Sequence, residues 1–196
     1  RQGPLGPQGR QGRQGPQGPQ GTHGDSNKQL GLVIGSNMSV DQTGHKFSKT
    51  TDNNSWNGEI RSTVSFTNGC TLIVSPNQTN TYYMIGLNSD PTTNASYSSI
   101  DYALYFHGGG TIKIYENGSN PYSGGSYSAG DSFVIQYDND HILYYHNGSL
   151  LRKVDVASGL KFYLDSSFYN QHSEQTRYVA FFPQGPKGPQ GPQGRQ

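Results

Sequence analysis

The chain has 196 residues, with 14 Lys and Arg against 13 Asp and Glu, 27 glycines, 11 prolines, one cysteine and a formal net charge of +1. That balance, with no basic cluster, finger spacing or helix-turn-helix pattern, argues against nucleic acid as a partner. No run of about 18 apolar residues offers a membrane-spanning helix, and the lone Cys70 rules out an intrachain disulfide.

From its start the chain repeats glycine at every third position: Gly3, Gly6, Gly9, Gly12, Gly15, Gly18, Gly21 and Gly24. Only glycine fits the crowded axis of three intertwined polyproline-II chains, so this Gly-X-Y metre predicts a collagen-like triple helix over residues 1–24. The partner it implies is the chain itself, as a parallel homotrimer with these glycines on the axis. Proline stands only at X, as at Pro4, Pro7, Pro16 and Pro19, while glutamine takes most Y positions. Stability therefore does not rest on hydroxyproline at Y. Residue 1 is Arg, and no signal peptide is visible. These features read as a fragment or processed piece of a longer chain whose repeats continue.

Residues 25–182 change character. Short runs rich in Val, Ile, Tyr, Phe and Thr recur between Gly, Asn, Asp, Pro and Ser, which predicts β-strands joined by turns. The candidate strands are residues 30–35, 46–50, 59–66, 71–75, 81–87, 102–107, 111–116, 132–137, 142–146, 150–154, 161–164 and 177–182. Ile112 and Ile114 alternate with Lys113 and Tyr115, as in a strand with one buried face. Asn147-Gly148, set between two such runs, predicts a two-residue hairpin turn, and Asn57-Gly58, Asn68-Gly69 and Asn117-Gly118 mark further turns. The pattern is that of an all-β, two-sheet antiparallel sandwich or jelly roll. Glycine then resumes its period at Gly185, Gly188, Gly191 and Gly194, which predicts a second collagen-like segment over residues 183–196. The repeats carry Arg1, Arg10, Arg13, Lys187 and Arg195 and no acid, so the middle segment is net acidic.

The run Gly130-Asp-Ser-Phe-Val-Ile-Gln-Tyr-Asp-Asn-Asp-His-Ile-Leu-Tyr-Tyr-His-Asn-Gly-Ser-Leu-Leu-Arg152 resembles a hairpin of concanavalin A-like and SPRY-like jelly rolls. Gly31-Leu-Val-Ile-Gly35, Lys49 to Gly58, Ile85-Gly-Leu87, Ile100 to Tyr105 and Ile114-Tyr-Glu-Asn-Gly118 agree with it in order. Together with the proline pattern, the chain resembles collagen-like fibre proteins of viral, phage or bacterial type that carry such a domain. The resemblance implies an extracellular, cell-surface or virion-surface location, further repeats of the same fibre as partners, and no particular ligand.

Residues that carry chemistry are sparse. Glu59, Glu116 and Glu174 form no paired-carboxylate motif of a glycoside hydrolase, and His23, His45, His107, His141, His146 and His172 lack metal-ligand spacing. No enzyme activity and no cofactor are expected. Asp138 and Asp140 are weak candidates for calcium, set against the ordinary use of Asp and Asn in turns. Trp56, and Tyr122 and Tyr127 flanking a glycine-rich loop, are candidate aromatic platforms for surface glycans. Asn37, Asn53, Asn77, Asn94, Asn117 and Asn147 begin N-x-S/T sequons for glycosylation of the protein itself. The leading expectation is a structural one, a sandwich trimer that registers and spaces collagen-like shaft segments. The alternative is a collagen-stalked lectin or adhesin.

Overall fold

The computed structural model describes residues 26–184. Apart from Pro183 and Gln184, the Gly-X-Y runs with all the axis glycines named above lie outside the described residues, as does His23.

Alternating apolar residues build two antiparallel sheets. The larger has eight strands. Its spatial order is β1 (Leu32–Ile34), β4 (Gly58–Ser62), β14 (Lys161–Phe168), β7 (Tyr83–Asn88), β8 (Tyr102–His107), β9 (Thr111–Glu116) and β10 (Ser119–Ser126), while β5 (Ser65–Thr67) pairs with the start of β14. The smaller sheet has five strands, ordered β13 (Ser149–Asp155), β12 (His141–His146), β11 (Phe133–Tyr137), β6 (Cys70–Pro76) and β15 (Thr176–Pro183). A two-stranded ribbon joins β2 (Met38–Val40) to β3 (Phe47–Lys49).

Every second residue of β6 and β11 points inward: Cys70, Leu72 and Val74, then Phe133, Ile135 and Tyr137, all fully buried. They meet Tyr83, Ile85 and Leu87 of β7 and Leu104 and Phe106 of β8 in one core. Edge-to-face rings tie the sheets, with Phe106 on Phe133 at 5.1 Å and Tyr137 on Phe162 at 5.0 Å. Each such ring contributes about 1.5–3 kcal/mol through burial. Near the β9 and β13 margins, Arg152 clasps the Glu116 carboxylate from Nε and Nη2 at 2.8 Å each, bridging the sheets with a bidentate pair.

The hairpin expected at Asn147-Gly148 is present, with φ of 47° and 79° at its two central residues, and the Asn117-Gly118 and Asn68-Gly69 turns likewise adopt positive φ. Asn57-Gly58 is a correction. Gly58 opens β4, buried, where an added Cβ would lie 2.6 Å from Met38 Sδ and 2.9 Å from Phe168 Cβ. Its glycine serves close packing rather than a turn. Residues 59–66, read as one strand, break into β4 and β5, and β14 continues four residues past the expected 161–164.

The two ends of the described chain meet on one strand. The 3-10 turn Ser26–Leu30 sends Asn27 Nδ2 to the Val179 carbonyl at 2.6 Å, and Phe181 N donates to Asn27 Oδ1 at 3.4 Å. At the end of β15, Gln184 N donates to Gly69 O at 3.1 Å.

Candidate functional site

On the large sheet, residues that alternate with the core set point outward. Met84, Ala103 and the neighbouring Ile100 form a second, small apolar cluster, on which Trp56, Tyr97, Tyr105 and Tyr115 pack half-buried. The register explains the grouping: Met84 lies opposite Tyr105, Ala103 opposite Tyr115, and Tyr105 opposite Lys113. Strands β7 to β9 therefore deliver a patch of rings to one surface, and two loops complete it.

The first loop brings Trp56. Its ring stands 4.8 Å from Tyr97, 5.2 Å from Tyr169 and 5.6 Å from Tyr105. Tyr105 continues to Tyr115 at 5.6 Å and to His107 at 5.3 Å, and His107 to Tyr82 at 4.9 Å. A Cβ on Gly108 would lie 2.4 Å from the Tyr82 ring, so a larger residue there would have to push that ring aside. The Lys113 ammonium lies 5.7 Å from the centre of the Tyr105 ring. Burial, then the neighbouring Tyr115, Tyr82, Tyr97 and Tyr169 hydroxyls, push the Tyr105 phenol up to about 12, so it stays neutral and able to donate.

A buried lysine holds the Trp56 loop. Lys49 is 1% exposed, and its ammonium donates to the carbonyls of Ser55 and Tyr169 at 2.6 Å each, and to those of Asn53 at 3.3 Å and Phe168 at 3.4 Å. Burial holds its pKa below the usual lysine value. Asn37 Nδ2 donates to Asn57 O at 2.9 Å, and Ser55 N to Tyr169 O at 3.1 Å. The indole is thus presented on a backbone tied at several points. The second loop crosses the sheet between Ser89 and Ile100, where Ser167 Oγ donates to Ala95 O at 2.7 Å and Ser89 binds Asp101. It carries Tyr97 on a 3-10 turn, Tyr97–Ser99, capped by Ser96.

Among the residues expected from sequence, Trp56 joins this patch; Tyr122 and Tyr127 do not. The expected glycine-rich loop is strand β10, paired with β9 through breaks in register between Ser119 and Tyr122 and across Gly124-Gly125. Tyr122 packs on the core from that edge. Tyr127 is 4% exposed, edge-on to Phe106 at 5.2 Å and near Phe133 at 6.1 Å. It has no face to offer a ligand. Tyr97, Tyr105, Tyr115 and Tyr169 were not singled out from sequence. For Tyr105 and Tyr115 the only signal was outward parity on strands whose pairing partners sequence does not supply, and Tyr97 and Tyr169, outside the strands, carried none.

The Asp138 carboxylate accepts from the backbones of Asp140 at 3.1 Å and His141 at 2.8 Å, and meets the His141 ring at 3.0 Å. Burial raises its pKa, but these hydrogen bonds outweigh it and hold the acid below its usual value. Asp138 therefore organises the β11–β12 turn, and among the described residues no cluster of three or more His, Cys, Asp or Glu is arranged to hold a metal ion. The glutamates lie apart, Glu59 on Arg61, Glu116 on Arg152 and Glu174 on Lys46. Cys70 is fully buried, and burial pushes its thiol up to about 12. Of the sequon asparagines, Asn53, Asn94, Asn117 and Asn147 are exposed and Asn37 and Asn77 are partly buried; the Asn37 and Asn147 amides donate to Asn57 and Asp131. A separate polar groove of about 400 Å³ is lined by Arg61, Asp90, Thr92, Lys161 and Tyr163 among others.

No protein-family model and no curated protein sequence matches the chain. Solved structures do. The SPRY domain of human HERC1 superposes with a TM-score of 0.54 at 16% identity, over 78% of this chain and 94% of that one. The carbohydrate recognition domain of Emp47p gives 0.53 at 13% identity, over 78% and 88%. The potassium-bound carbohydrate recognition domain of Emp46p gives 0.50 at 11% identity, over 83% and 93%. At these identities the likeness is one of fold: the described body is an antiparallel β-sandwich of the SPRY and concanavalin A-like kind.

Proposed function

We propose that this chain is a trimeric, collagen-stalked surface protein whose sandwich heads bind carbohydrate through the aromatic face around Trp56. The observation that carries this reading is the packing of Tyr97, Tyr169 and Tyr105 within 4.8–5.6 Å of the Trp56 ring, on a loop tied down by Lys49. Sugar rings present flat C–H faces that stack on aromatic rings, while their hydroxyls seek donors and acceptors at the margin. The phenols, His107 and Lys113 supply such groups here. The fold shared with the carbohydrate recognition domains of Emp47p and Emp46p supports the reading. The Gly-X-Y runs on both sides of the head support three copies, which multiply weak single-site affinity on a repetitive glycan surface. The location that suits this is extracellular, on a cell or a virion. Exposed Asn53, Asn94, Asn117 and Asn147 are the sequons open to modification there.

A glycan array probed with the intact chain tests this. Trp56→Ala and Tyr105→Ala are expected to weaken binding to every retained glycan by about tenfold or more, the cost of about 1.4 kcal/mol in lost stacking. Tyr127→Phe is expected to leave binding unchanged. Retention of full binding by Trp56→Ala contradicts the assignment.

The resumption of Gly-X-Y after the head favours a second reading, in which the sandwich registers and spaces a collagen-like shaft. That reading stands if the intact chain binds no glycan, yet deletion of residues 25–182 leaves repeats that no longer associate.

A further inference from the structure

The aromatic face is rich in groups that donate hydrogen bonds and poor in groups that only accept them. The Trp56 indole N–H and the Lys113 ammonium can donate but not accept. Among the described residues neither has a hydrogen-bond partner, and Lys113 makes no ion pair. The phenols of Tyr97, Tyr105, Tyr115 and Tyr169 can do either. The carboxylates of the same strands and of the Tyr97 loop are committed elsewhere. Strands β7, β8 and β9 hold one acid, Glu116, and Arg152 clasps it. Asp90 accepts from Thr92 Oγ1 at 2.7 Å, and Asp101 accepts from Ser89 N at 2.8 Å and Ser89 Oγ at 2.7 Å. Asp52, exposed on the Trp56 loop, is not among the groups that weigh most on the Tyr105 phenol, which are burial and four other phenols.

A sugar hydroxyl brings a proton that needs an acceptor as well as lone pairs that take a donor. Two pure donors, with those carboxylates engaged, leave hydroxyl protons short of acceptors. An anionic substituent has lone pairs only, so it matches the imbalance, and charge shortens and strengthens its hydrogen bonds. Register places the charge where such a group can use it. Lys113 stands opposite Tyr105 on one side and Ser123 on the other. Its ammonium lies 5.7 Å from the centre of the Tyr105 ring, and the Trp56 ring lies 5.6 Å from that same ring. A sugar seated against Tyr105 therefore meets an aromatic platform and a positive charge together. The β10 margin beside Lys113 is low: Ser123 is followed by Gly124-Gly125, and a Cβ on Gly124 would meet nothing within 4 Å.

We infer that the glycan this face takes is anionic, a sugar whose carboxylate or sulfate group pairs with Lys113 while its ring lies against Tyr105 and Trp56. The inference rests on the carbohydrate reading above and adds the chemical class of the ligand. Lys113 is then the residue that sets specificity, and the rings supply affinity shared by any sugar.

Trp56 is the chain's one tryptophan, so its fluorescence reports on this face directly. The intact chain is titrated with glucose, glucuronate and a sulfated glucose, which share one ring and differ in charge. Monosaccharides are used because the basic residues of the Gly-X-Y runs attract long polyanions on their own account. Glucuronate, the sulfated sugar or both are expected to change the emission at about tenfold lower concentration than glucose, with an advantage that shrinks as salt is raised. Whichever responds identifies the source of the charge. Lys113→Gln is expected to abolish the preference and Lys113→Arg to retain it. Equal responses to charged and neutral sugars overturn the anionic class and leave carbohydrate binding standing. A preference for charge that survives Lys113→Gln overturns the role of Lys113. Silence from all three sugars overturns the inference as well, and the glycan array then decides the reading beneath it. If Lys113→Gln fails to fold, the comparison of sugars on the unaltered chain still decides.

Discussion

Asp165, opposite Gly86 on the outward side of the large sheet, is a carboxyl group only 2% exposed. Burial pushes its pKa up to about 7, against the pull of hydrogen bonds from Asn88 Nδ2 at 2.7 Å and Ser166 N at 2.8 Å; Glu59 adds to the rise and Arg61 opposes it. An unfolded aspartate ionises near 3.9. Between about pH 4 and pH 7 the unfolded chain releases this proton while the folded chain keeps it. The stability Asp165 allows is therefore complete below pH 4, falls through that window, and levels off above pH 7. The total is on the order of 4 kcal/mol. Asp165→Asn removes the titration and keeps an acceptor for Asn88. The variant is expected to melt with wild type near pH 4 and well above it at pH 8. An offset that does not change with pH contradicts the argument. The run Leu-Asp-Ser-Ser carries no sign of this burial, because a polar run reads as the end of a strand.

At the scale of elements, local chemistry was legible where it alone decides the backbone. Asn147-Gly148 makes its hairpin because both positions require positive φ, and the turn is open enough that a Cβ on Gly148 meets nothing within 4 Å. Gly148→Ala is therefore expected to cost about 1 kcal/mol, through the left-handed backbone alone, read as a shift in the urea midpoint with an unchanged slope. A loss several times larger indicates packing around the turn. Where tertiary contacts decide, sequence reading failed in recognisable ways. Ser119–Ser126 reads as a loop because of Pro121 and Gly124-Gly125, yet it is an edge strand. An edge strand pairs on one side only and tolerates a missing donor and bulging glycines. Asn57-Gly58 reads as a turn, but the absent Cβ there makes room for Met38 and Phe168.

Across the whole molecule, the chemistry proposed for binding lies on one sheet, as an aromatic, hydrogen-bonding face on the larger. The core closes within the described residues, from Leu30 to Phe181, so residues 25–184 alone are expected to fold. Removed from its repeats, that body is expected to bind a glycan-coated surface roughly 100-fold more weakly than the intact chain, with an unchanged affinity for soluble monosaccharide. Equal binding to the coated surface contradicts the trimer as the source of avidity.

What the amino-acid order determined by itself is whatever short-range sterics govern: the three-residue glycine metre, the alternation that makes the middle segment all-β, the hairpin at Asn147-Gly148, and Trp56 as an aromatic worth following. The three-dimensional fold alone decided which outward residues share a surface. Tyr105 and Tyr115 share a face because β7, β8 and β9 pair in one register, and Trp56, Tyr97 and Tyr169 join them because loops distant in sequence are tied down over that face. A side chain's direction along a strand is local, but its neighbour across the sheet is set by long-range pairing, and the aromatic face is built on such neighbours.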